Sequence, residues 1–369
     1  MLIGIDGNEA NVTKRVGSNQ YALELLNSLS EQKTEHRFTV YLRDWPLPDM
    51  PRQTENWGYR VIKPRKFWTQ FRLPADLYFH KPRPKIFFTP GHYAPRWSPI
   101  PRIISIMDLG YLRFPGQFTK KDLYQLITWT ARSIKSAAHI FAISQSTKDA
   151  IIEAYDIPES KITVTYPGYD KNKFKVEIEK LKIEGRKKKY GISGEYILFL
   201  STLKPNKNVE GLLEAFFQLT RTDLGRGLSL VIAGKKGWLY QAIFERVKQL
   251  DLTKRVIFTD FVPEEDVPSL MAGAEVFVMP SFWEGFGIPV VESMACGVPV
   301  VVSNAGSLPE VVGEAGIIVD PYKPEEIAGG IKKAIQNKEQ LINKGLKQAE
   351  KFSWEDCARK TLRVLNEIK

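Results

Sequence analysis

The sequence predicts an α/β fold built from two Rossmann-like domains that face each other across a cleft. Short apolar runs alternate with amphipathic helical stretches along the chain, a pattern typical of parallel sheets. The alternation is interrupted by one polar, lysine-rich stretch and then restarts. With 369 residues, the chain is also long enough to form two domains with separate cores.

The first domain is predicted over residues 1–170, and the lysine-rich stretch over residues 171–195 is predicted to be a linker. Residues 120–138, KKDLYQLITWTARSIKSAA, have the pattern of a helix. The predicted strands of this domain are LIGID, FTVYLR, YRVIK, KIFFTP, RIISIMDL, HIFAIS and KITVTYPG.

The second domain is predicted over residues 196–352. Its expected helices include NVEGLLEAFFQL and YQAIFERVKQL, and the last segment, residues 353–369, has helical periodicity with Ser353 as its N-cap. The predicted strands are YILFLS, LSLVIAG, RVIFTDF, AEVFVMP, VPVVVS and AGIIVD.

Composition narrows the functional classes. Hydrophobic residues make up 43% of the chain and charged residues 26%, as in soluble globular proteins. No apolar run is long enough to span a membrane, and the N-terminus does not resemble an export signal. The two cysteines suggest neither a disulfide framework nor a zinc site, so we expect a cytoplasmic location.

Positive charge is concentrated in the first half of the chain. Lys and Arg outnumber Asp and Glu by 23 to 16 in residues 1–170 and by 9 to 4 in residues 171–200, but number 21 against 22 in residues 201–369. This asymmetry predicts an anionic partner for the N-terminal half.

The stretch SFWEGFGIPVVESMACGVPVV, residues 281–301, places two glutamates eight residues apart, directly after a predicted strand. We expect a helix to begin near Ile288, because proline is tolerated in a first helical turn. Backbone amides at a helix N-terminus bind anions, and flexible glycines allow a ligand to approach closely. Glu284 and Glu292 would then flank a phosphate-bearing ligand, or they are ordinary helix residues favoured by the helix dipole.

Three other loops follow predicted strands, where ligands of parallel sheets bind. Lys204 and Lys207 could neutralise a diphosphate, or they are solvated surface lysines. Gly17 lies in a loop that lacks the dinucleotide-binding pattern and could be a plain connection. Asp108 ends a strand and could face the cleft or simply cap a helix.

A metal site is not expected. The sequence contains no Asp-x-Asp pair that would supply oxygen ligands to a metal, so charge stabilisation without a metal is the better expectation. The four histidines lack ligand spacing and are expected at the surface or as satisfied core residues. His92, in PGHYAP, is the one that merits attention.

Taken together, these stretches resemble the family-4 retaining glycosyltransferases of GT-B fold. The likeness covers nearly the whole chain and is strongest from Tyr196 to Asp320. Its most specific feature is a Glu-x7-Glu pair, matched by EGFGIPVVE from Glu284 to Glu292. The final helix resembles the family's closing helix, which returns to the N-terminal domain.

The resemblance implies roles for individual residues. Glu292 would hold the ribose of a nucleotide donor, and Glu284 would hold the transferred sugar with the amides of the following loop. Lys207 would face the diphosphate, and Asp108 would lie beside the reacting sugar. The remaining donor-binding positions implied are Gly17, Thr202, Lys204, Val262, Gly285, Phe286, Gly287 and Ile288.

Two departures from the family pattern affect these expectations. Met107 stands where the family has a histidine before Asp108, which removes a polar contact near the sugar. Thr202 and Asn206 stand in a phosphate loop where relatives tend to carry an arginine, so Lys204 would have to compensate. Both departures bear on diphosphate binding and on activity.

The donor and acceptor follow from the same resemblance. STLKPNKN is similar to a stretch of the family's mannosyltransferases, so GDP-mannose is the first expected donor and UDP-sugars are the alternative. The expected acceptor is a glycan or a polyprenyl-linked glycan, and no cofactor is expected. Competing interpretations are a glycan-binding scaffold with a decayed site, a nucleotide-sugar epimerase and a basic nucleic-acid binder, although no nucleic-acid motif is present.

A basic and aromatic stretch, residues 63–85, suggests where the acceptor is met. Lys and Arg near an anionic bilayer each contribute about 1 kcal/mol to binding. We therefore expect peripheral contact with the inner face of the plasma membrane, or else a folded loop with solvated charges. The residues proposed for this surface are Lys63, Arg65, Lys66, Trp68 and Arg72.

Overall fold

Each half of the chain forms one parallel β-sheet with helices packed on it, as the alternating pattern predicts. The computed structural model describes residues 1–368 and separates them into two units. The first unit comprises Met1–Gly168 together with the C-terminal segment that begins at Ser353, and the second comprises Tyr169–Phe352.

The sheet of the first unit has seven strands in the order β3-β2-β1-β4-β5-β6-β7. All seven predicted strands are confirmed, because strands covered on both faces are continuous apolar runs in the sequence. They are β1 (Leu2–Asp6), β2 (Arg37–Leu42), β3 (Trp57–Val61), β4 (Ile86–Thr89), β5 (Arg102–Ile106), β6 (His139–Ala142) and β7 (Ile162–Val164).

The helices of this unit before residue 168 include the predicted helix over residues 120–138. It is interrupted by a π-helical turn, Leu126–Thr130, and a second π-helical turn covers Trp68–Arg72. The α-helices are α1 (Ser18–Glu31), α2 (Leu73–Phe79), α3 (Gly110–Arg113), α4 (Lys120–Gln125), α5 (Ala131–Ser136) and α6 (Gln145–Tyr155).

The sheet of the second unit has six strands in the order β10-β9-β8-β11-β12-β13, so β8 and β11 are neighbours. The six predicted strands are confirmed, and alternate side chains of these strands form a core with the helices on one face of the sheet. They are β8 (Tyr196–Leu200), β9 (Ser229–Ala233), β10 (Val256–Asp260), β11 (Val276–Met279), β12 (Val300–Ser303) and β13 (Ile317–Val319).

The helices of the second unit include α11, which begins at Ile288 as the position of Pro289 predicts. The full set is α7 (Lys180–Lys189), α8 (Val209–Thr220), α9 (Gln241–Gln249), α10 (Val267–Ala272), α11 (Ile288–Ala295), α12 (Leu308–Val312), α13 (Pro324–Gln336) and α14 (Lys338–Ala349).

Residues 171–195 belong to the second unit and do not form a separate linker. Helix α7 lies within this segment and packs against α10, with Ile183 close to Gly273 and several charges around Asp266. Its Arg186 and Lys189 form ion pairs with Asp266, whose side chain is 1% exposed, and Tyr190 donates a hydrogen bond of 2.6 Å to the same carboxylate. A helix whose main tertiary contacts are ion pairs lacks a periodic pattern of apolar residues, so that pattern could not predict it.

The last helix, α15 (Trp354–Glu367), belongs to the first unit and packs against α1. Ser353 caps it by accepting a hydrogen bond of 3.1 Å from the amide of Asp356. The chain enters this helix against Gly168, where a Cβ atom would lie 2.1 Å from the backbone nitrogen of Trp354. Glycine is therefore required at position 168 for the close approach.

Candidate functional site

The carboxyl edge of the second sheet brings together two of the residues predicted to be catalytic. Lys207 follows β8 and Glu284 follows the neighbouring β11. The Nζ atom of Lys207 lies 2.5 Å from Oε1 of Glu284, and the two side chains are only 15% and 12% exposed. Because β8 and β11 are neighbours in the sheet, Lys207 and Glu284 form a direct ion pair although they are far apart in the sequence.

Glu284 is held by several further contacts. The hydroxyl of Ser281 donates to the same Oε1 atom over 2.6 Å. The main-chain carbonyl of Glu284 accepts hydrogen bonds from the amide of Ser307, at 3.1 Å, and from its hydroxyl, at 3.2 Å. Gly306, with φ of +61°, packs so closely that a Cβ atom would lie 2.3 Å from this carbonyl oxygen. The position of Glu284 is therefore fixed by both its side chain and its backbone.

Asn208 ties together the loops at this edge. It has a left-handed backbone, with φ of 52°, and its side-chain oxygen caps α8 by accepting from the amide of Gly211. Its side-chain nitrogen donates to the carbonyls of Pro280, at 3.1 Å, and Pro321, at 2.6 Å. One buried amide thus joins the ends of three strands, β8, β11 and β13, around the Lys207–Glu284 pair.

The glycine-rich turn before α11 has the predicted form. Gly287 has φ of 88° and occupies the N-cap of the helix, a backbone conformation that favours glycine. Phe286 is buried, and its ring packs edge-to-face on Phe352 at 5.3 Å. Gly285 is buried between Glu284 and Phe286, and Ile288 is the first helical residue. The turn is anchored by Phe286, so its amides are held in place before any ligand binds.

Glu292 lies one turn inside α11 and is half-buried. Burial raises the pKa of the Cys296 thiol to about 12, and the negative charge of Glu292, one turn before it, adds to this shift. Glu292 and Cys296 stand four residues apart and therefore lie on the same face of the helix.

Lys204 is positioned by a residue that the sequence did not single out. Its Nζ atom lies 4.1 Å from the ring centroid of Trp238 in the loop after β9, a cation–π contact. The two loops are joined by backbone hydrogen bonds, from Leu203 to the carbonyl of Lys235 at 2.9 Å and from Gly237 to the carbonyl of Leu203 at 3.0 Å. Thr202, beside them, is half-buried.

Val262 follows β10 and is buried, with 6% of its surface exposed. It lies after the outermost strand of the second sheet, two positions from β8 in the strand order. Sequence reasoning also missed Ser281 and Ser307. Ser281 stands three residues before Glu284 in the same loop, but Ser307 reaches Glu284 only through tertiary structure.

Gly17 and Asp108 belong to the first unit. Gly17 is the N-cap of α1 with φ of 42°, it is exposed, and a Cβ atom there would meet no neighbour within 4 Å. Asp108 is half-buried, and its Oδ1 atom accepts a hydrogen bond of 2.7 Å from the amide of Gly110 at the start of α3. This bond closes an Asx-turn just before α3, whose N-cap is Leu109, so Asp108 itself is not the cap of that helix.

His92 does not fit the expectation of a surface or satisfied core histidine. It follows β4, the neighbour of β5, and its Nδ1 atom is buried without a hydrogen-bond partner. Burial lowers the pKa of His92, and the negative charge of Asp108 opposes that shift. Met107, by contrast, is buried, and its carbonyl accepts a hydrogen bond from Thr147. The carboxyl edge of the first sheet therefore carries a buried ring nitrogen, beside Asp108, whose hydrogen-bonding capacity is not used.

The prediction of a membrane surface is wrong for one of its five residues, Trp68. Trp68 is buried, with 2% exposure, among apolar side chains that include Leu73 and Phe87, so it is no part of a surface. The π-helical turn directs Trp68 inward and leaves Phe71 outside, 53% exposed. The four cations Lys63, Arg65, Lys66 and Arg72 are exposed.

Asp44 neutralises part of this cationic surface. Lys63 and Arg65 both form hydrogen bonds of 2.9 Å with its Oδ1 atom, and these bonds lower the pKa of Asp44. Among residues 1–368, no helix is long and apolar enough to cross a membrane. In the same part of the chain, no three His, Cys, Asp or Glu side chains are grouped as metal ligands.

Comparisons with known proteins match both halves of the chain to sugar transferases. Residues 16–173 match the family described as Glycosyltransferase Family 4, and residues 182–352 match Glycosyl transferases group 1. The chain is 32% identical over 338 residues to the O-antigen chain mannosyltransferase B of Escherichia coli, covering 90% of this chain and 84% of that protein.

A second relative and a solved structure extend the comparison. The serotype-specific mannosyltransferase WbdA of Escherichia coli is 32% identical over 224 residues, which cover 59% of this chain and 27% of that protein. The crystal structure of Anabaena Alr3699/HepE in complex with UDP and glucose has a TM-score of 0.76 and 19% identity, covering 99% of both chains. The latter likeness is one of fold.

Proposed function

The chain belongs to the family 4 glycosyltransferases, and we propose that it transfers mannose from GDP-mannose to a glycan or lipid-linked acceptor with retention of configuration. The identity of 32% to a mannosyltransferase across 90% of the chain carries the choice of sugar. The half-buried Lys207–Glu284 pair at a sheet edge carries the choice of residues.

The proposed chemistry follows from the charges that develop during transfer. As the anomeric C–O bond breaks, negative charge grows on the departing diphosphate and positive charge grows on the sugar ring. Lys207 and the amides before α11 stabilise the diphosphate, and preorganised donors of this kind usually provide the largest catalytic contribution. Because Lys207 is already held by Glu284, it needs little reorganisation when the anion binds.

The carboxylates would recognise hydroxyl groups. In this proposal Glu284 accepts hydrogen bonds from the transferred sugar, and Glu292 accepts them from the ribose of the nucleotide. Ser281 and Ser307 hold Glu284 in place from the protein side. Retention requires that the acceptor hydroxyl attack the face from which the diphosphate leaves, and the same diphosphate oxygen can then take up the hydroxyl proton.

The first unit would contribute to acceptor recognition. Asp108, expected beside the reacting sugar, lies at the carboxyl edge of its sheet, where ligands of parallel sheets bind. We propose a cell-surface polysaccharide or its polyprenyl-linked precursor as the acceptor, reached at the cytoplasmic face of the membrane. The basic character of this half of the chain supports an anionic carrier.

The test is an assay of the purified protein with GDP-mannose, UDP-hexoses and UDP-N-acetylhexosamines against a mannose-terminated oligosaccharide. We expect transfer from GDP-mannose, with the anomeric configuration of the product established by NMR. Transfer from a UDP-sugar alone would replace the donor and keep the reaction class. Binding of nucleotide and glycan without turnover of any donor would instead indicate a decayed, glycan-binding protein.

A further inference from the structure

A groove of about 190 Å³ lies in the first unit, bordered by the loop after β4, the π-helical turn Trp68–Arg72 and the helix that runs through α4 and α5. None of the residues assigned above to donor binding or catalysis lines it. Aromatic rings and guanidinium groups dominate the lining, which lies within the described part of the chain and contains no carboxylate.

One wall of the groove continues into a row of exposed aromatic rings. The rings of Phe67 and Phe71 are 5.9 Å apart, and those of Phe71 and Trp97 are also 5.9 Å apart. Their exposures are 58%, 53% and 45%. Three adjoining aromatic side chains left this open to water form the kind of apolar patch that usually binds a partner.

The opposite wall has the same character. Tyr124, which lines the groove, and Ile127, three residues later, are 68% and 42% exposed. Residues three apart lie on the same face of a helix. The groove is thus bordered on both sides by exposed side chains that are apolar or amphipathic.

Cations accompany the rings. Lys66 lies over the ring of Phe67 at 5.3 Å, and the guanidinium carbon of Arg96 lies over Trp97 at 4.9 Å. Arg132 lines the groove from the helix side and is exposed. Although the charges of Glu9 and Asp122 act on Tyr93, no carboxylate lines the groove, and its guanidinium groups give it a positive charge that complements an anion.

The walls are fixed in place rather than loosely apposed. Arg102 donates to the carbonyls of Pro95, at 2.9 Å, and Ser136, at 3.3 Å, and so joins the loop after β4 to the end of α5. The amide of Ala94 donates to the hydroxyl of Ser133 on the same helix over 3.1 Å. The groove therefore keeps its shape without a ligand, and the charge of Arg102 stays in its floor.

We propose that this groove binds the phosphate group of a membrane amphiphile while the exposed rings enter the bilayer interface. Guanidinium groups pair with phosphate oxygens through two parallel hydrogen bonds, and aromatic side chains favour the membrane–water interface. The inference deepens the proposed function and rests on it in one respect, namely that such an amphiphile would carry the acceptor glycan. A neutral glycan would leave the guanidinium charges uncompensated.

The experiment measures sedimentation of the full chain with vesicles of phosphatidylcholine alone and of phosphatidylcholine with an equal amount of phosphatidylglycerol. We expect binding to the anionic vesicles. Arg96→Gln and Arg132→Gln should each weaken it by about fivefold, since a basic residue near an anionic surface contributes about 1 kcal/mol. Trp97→Ala should weaken binding while leaving its dependence on salt unchanged.

A matched control is available in the second unit. Arg221 is exposed and lies over the ring of Phe217 at 5.1 Å, so Arg221→Gln removes a similar cation–π pair away from the groove. This variant should bind vesicles like the wild type. Thermal unfolding of every variant identifies any loss that comes from misfolding.

Several outcomes would overturn the proposal. These are equal binding to neutral and anionic vesicles, unchanged binding of both Arg96→Gln and Arg132→Gln, and saturable binding of inorganic phosphate without binding to vesicles. Displacement from vesicles by a neutral mannose oligosaccharide would assign the groove to glycan instead. Sugar transfer to a water-soluble acceptor is measured separately, so absence of transfer counts against the proposed function and leaves the groove untouched.

Discussion

At the carboxyl edge of the second sheet, Glu284 is bonded to Lys207, Ser281 and Ser307, and the loops around it are joined by Asn208. At the carboxyl edge of the first sheet, Nδ1 of His92 has no partner, and Gly17 borders open space. The charged residues at the edge of the second sheet are therefore held in place, whereas the edge of the first sheet has an unpaired ring nitrogen and open space beside Gly17.

This difference suggests a division of labour between the two units. A site that holds its charges rigidly suits a donor whose leaving group must be stabilised as charge develops, because preorganisation avoids the cost of rearrangement. A looser edge suits an acceptor, which supplies the missing contacts itself. If the contrast is real, substitutions at the rigid edge should cause the larger losses.

Replacing Lys207 with alanine should have the largest effect. The variant loses a donor aimed at the departing diphosphate and leaves Glu284 without its partner. We expect kcat/KM for the donor to fall by about 10²–10³, the range seen when one such donor is removed. Lys338→Ala, which breaks the comparable pair with Glu275 on the same unit, should leave turnover unchanged. A change of no more than about twofold for Lys207→Ala would show that the rigid edge is not the reacting one.

Replacing Asn208 with alanine tests the rigidity itself. The variant loses the cap of α8 and two hydrogen bonds to carbonyls, so we expect the free energy of unfolding to fall by about 3 kcal/mol in urea titrations. Ser144, which caps α6 in the first unit, provides the comparison, and Ser144→Ala should cost about 1 kcal/mol. Equal losses of unfolding free energy from the two variants would show that the two units do not differ in rigidity at these positions.

The contact between Lys204 and Trp238 should have a smaller effect. A cation–π contact contributes about 0.5–1 kcal/mol at such sites, so Trp238→Ala should weaken GDP binding by about two- to fivefold in calorimetry. Trp238→Phe should retain most of the affinity. In a Lys204→Met background the Trp238 substitution should have no further effect, and additive losses would mean that the two residues act independently.

His92 should affect stability only in acid. Its pKa is lowered in the folded protein, so the neutral ring contributes fully above the ordinary value of 6.5, and this contribution is lost as the pH falls below it. His92→Asn should therefore reduce the loss of thermal stability between neutral and mildly acidic pH. His80→Asn, at an exposed position, should not, and a similar response from both variants would assign the effect to general charge.

Much of the fold could be predicted because buried parallel strands are apolar runs and helices begin at recognisable residues. All strands of both sheets and the start of α11 at Ile288 follow from such local signals. Helix α7 could not be predicted, because its interactions with Asp266 are electrostatic and the helix lacks an apolar period.

Lys207 and Glu284 could each be named from the sequence, but their ion pair depends on the order of two neighbouring strands. Glu284 and the turn before α11 stand in one stretch, whereas the contact of Lys204 with Trp238 depends on how two neighbouring strands align. The orientation of Trp68 could not be predicted either. A π-helical turn changes which side chains share a face, and it places Trp68 in the core although the surrounding stretch is basic and aromatic.

Asn208 also affects how this enzyme could be altered. It joins the strand ends through main-chain carbonyls, and those bonds do not depend on the side chains at positions 280 and 321. Phe282 and Tyr322 add a stacked ring pair between the same two loops, with centroids 4.8 Å apart, so these two side chains should be exchanged together rather than singly. Libraries for a changed sugar preference should vary these positions and keep Asn208 constant.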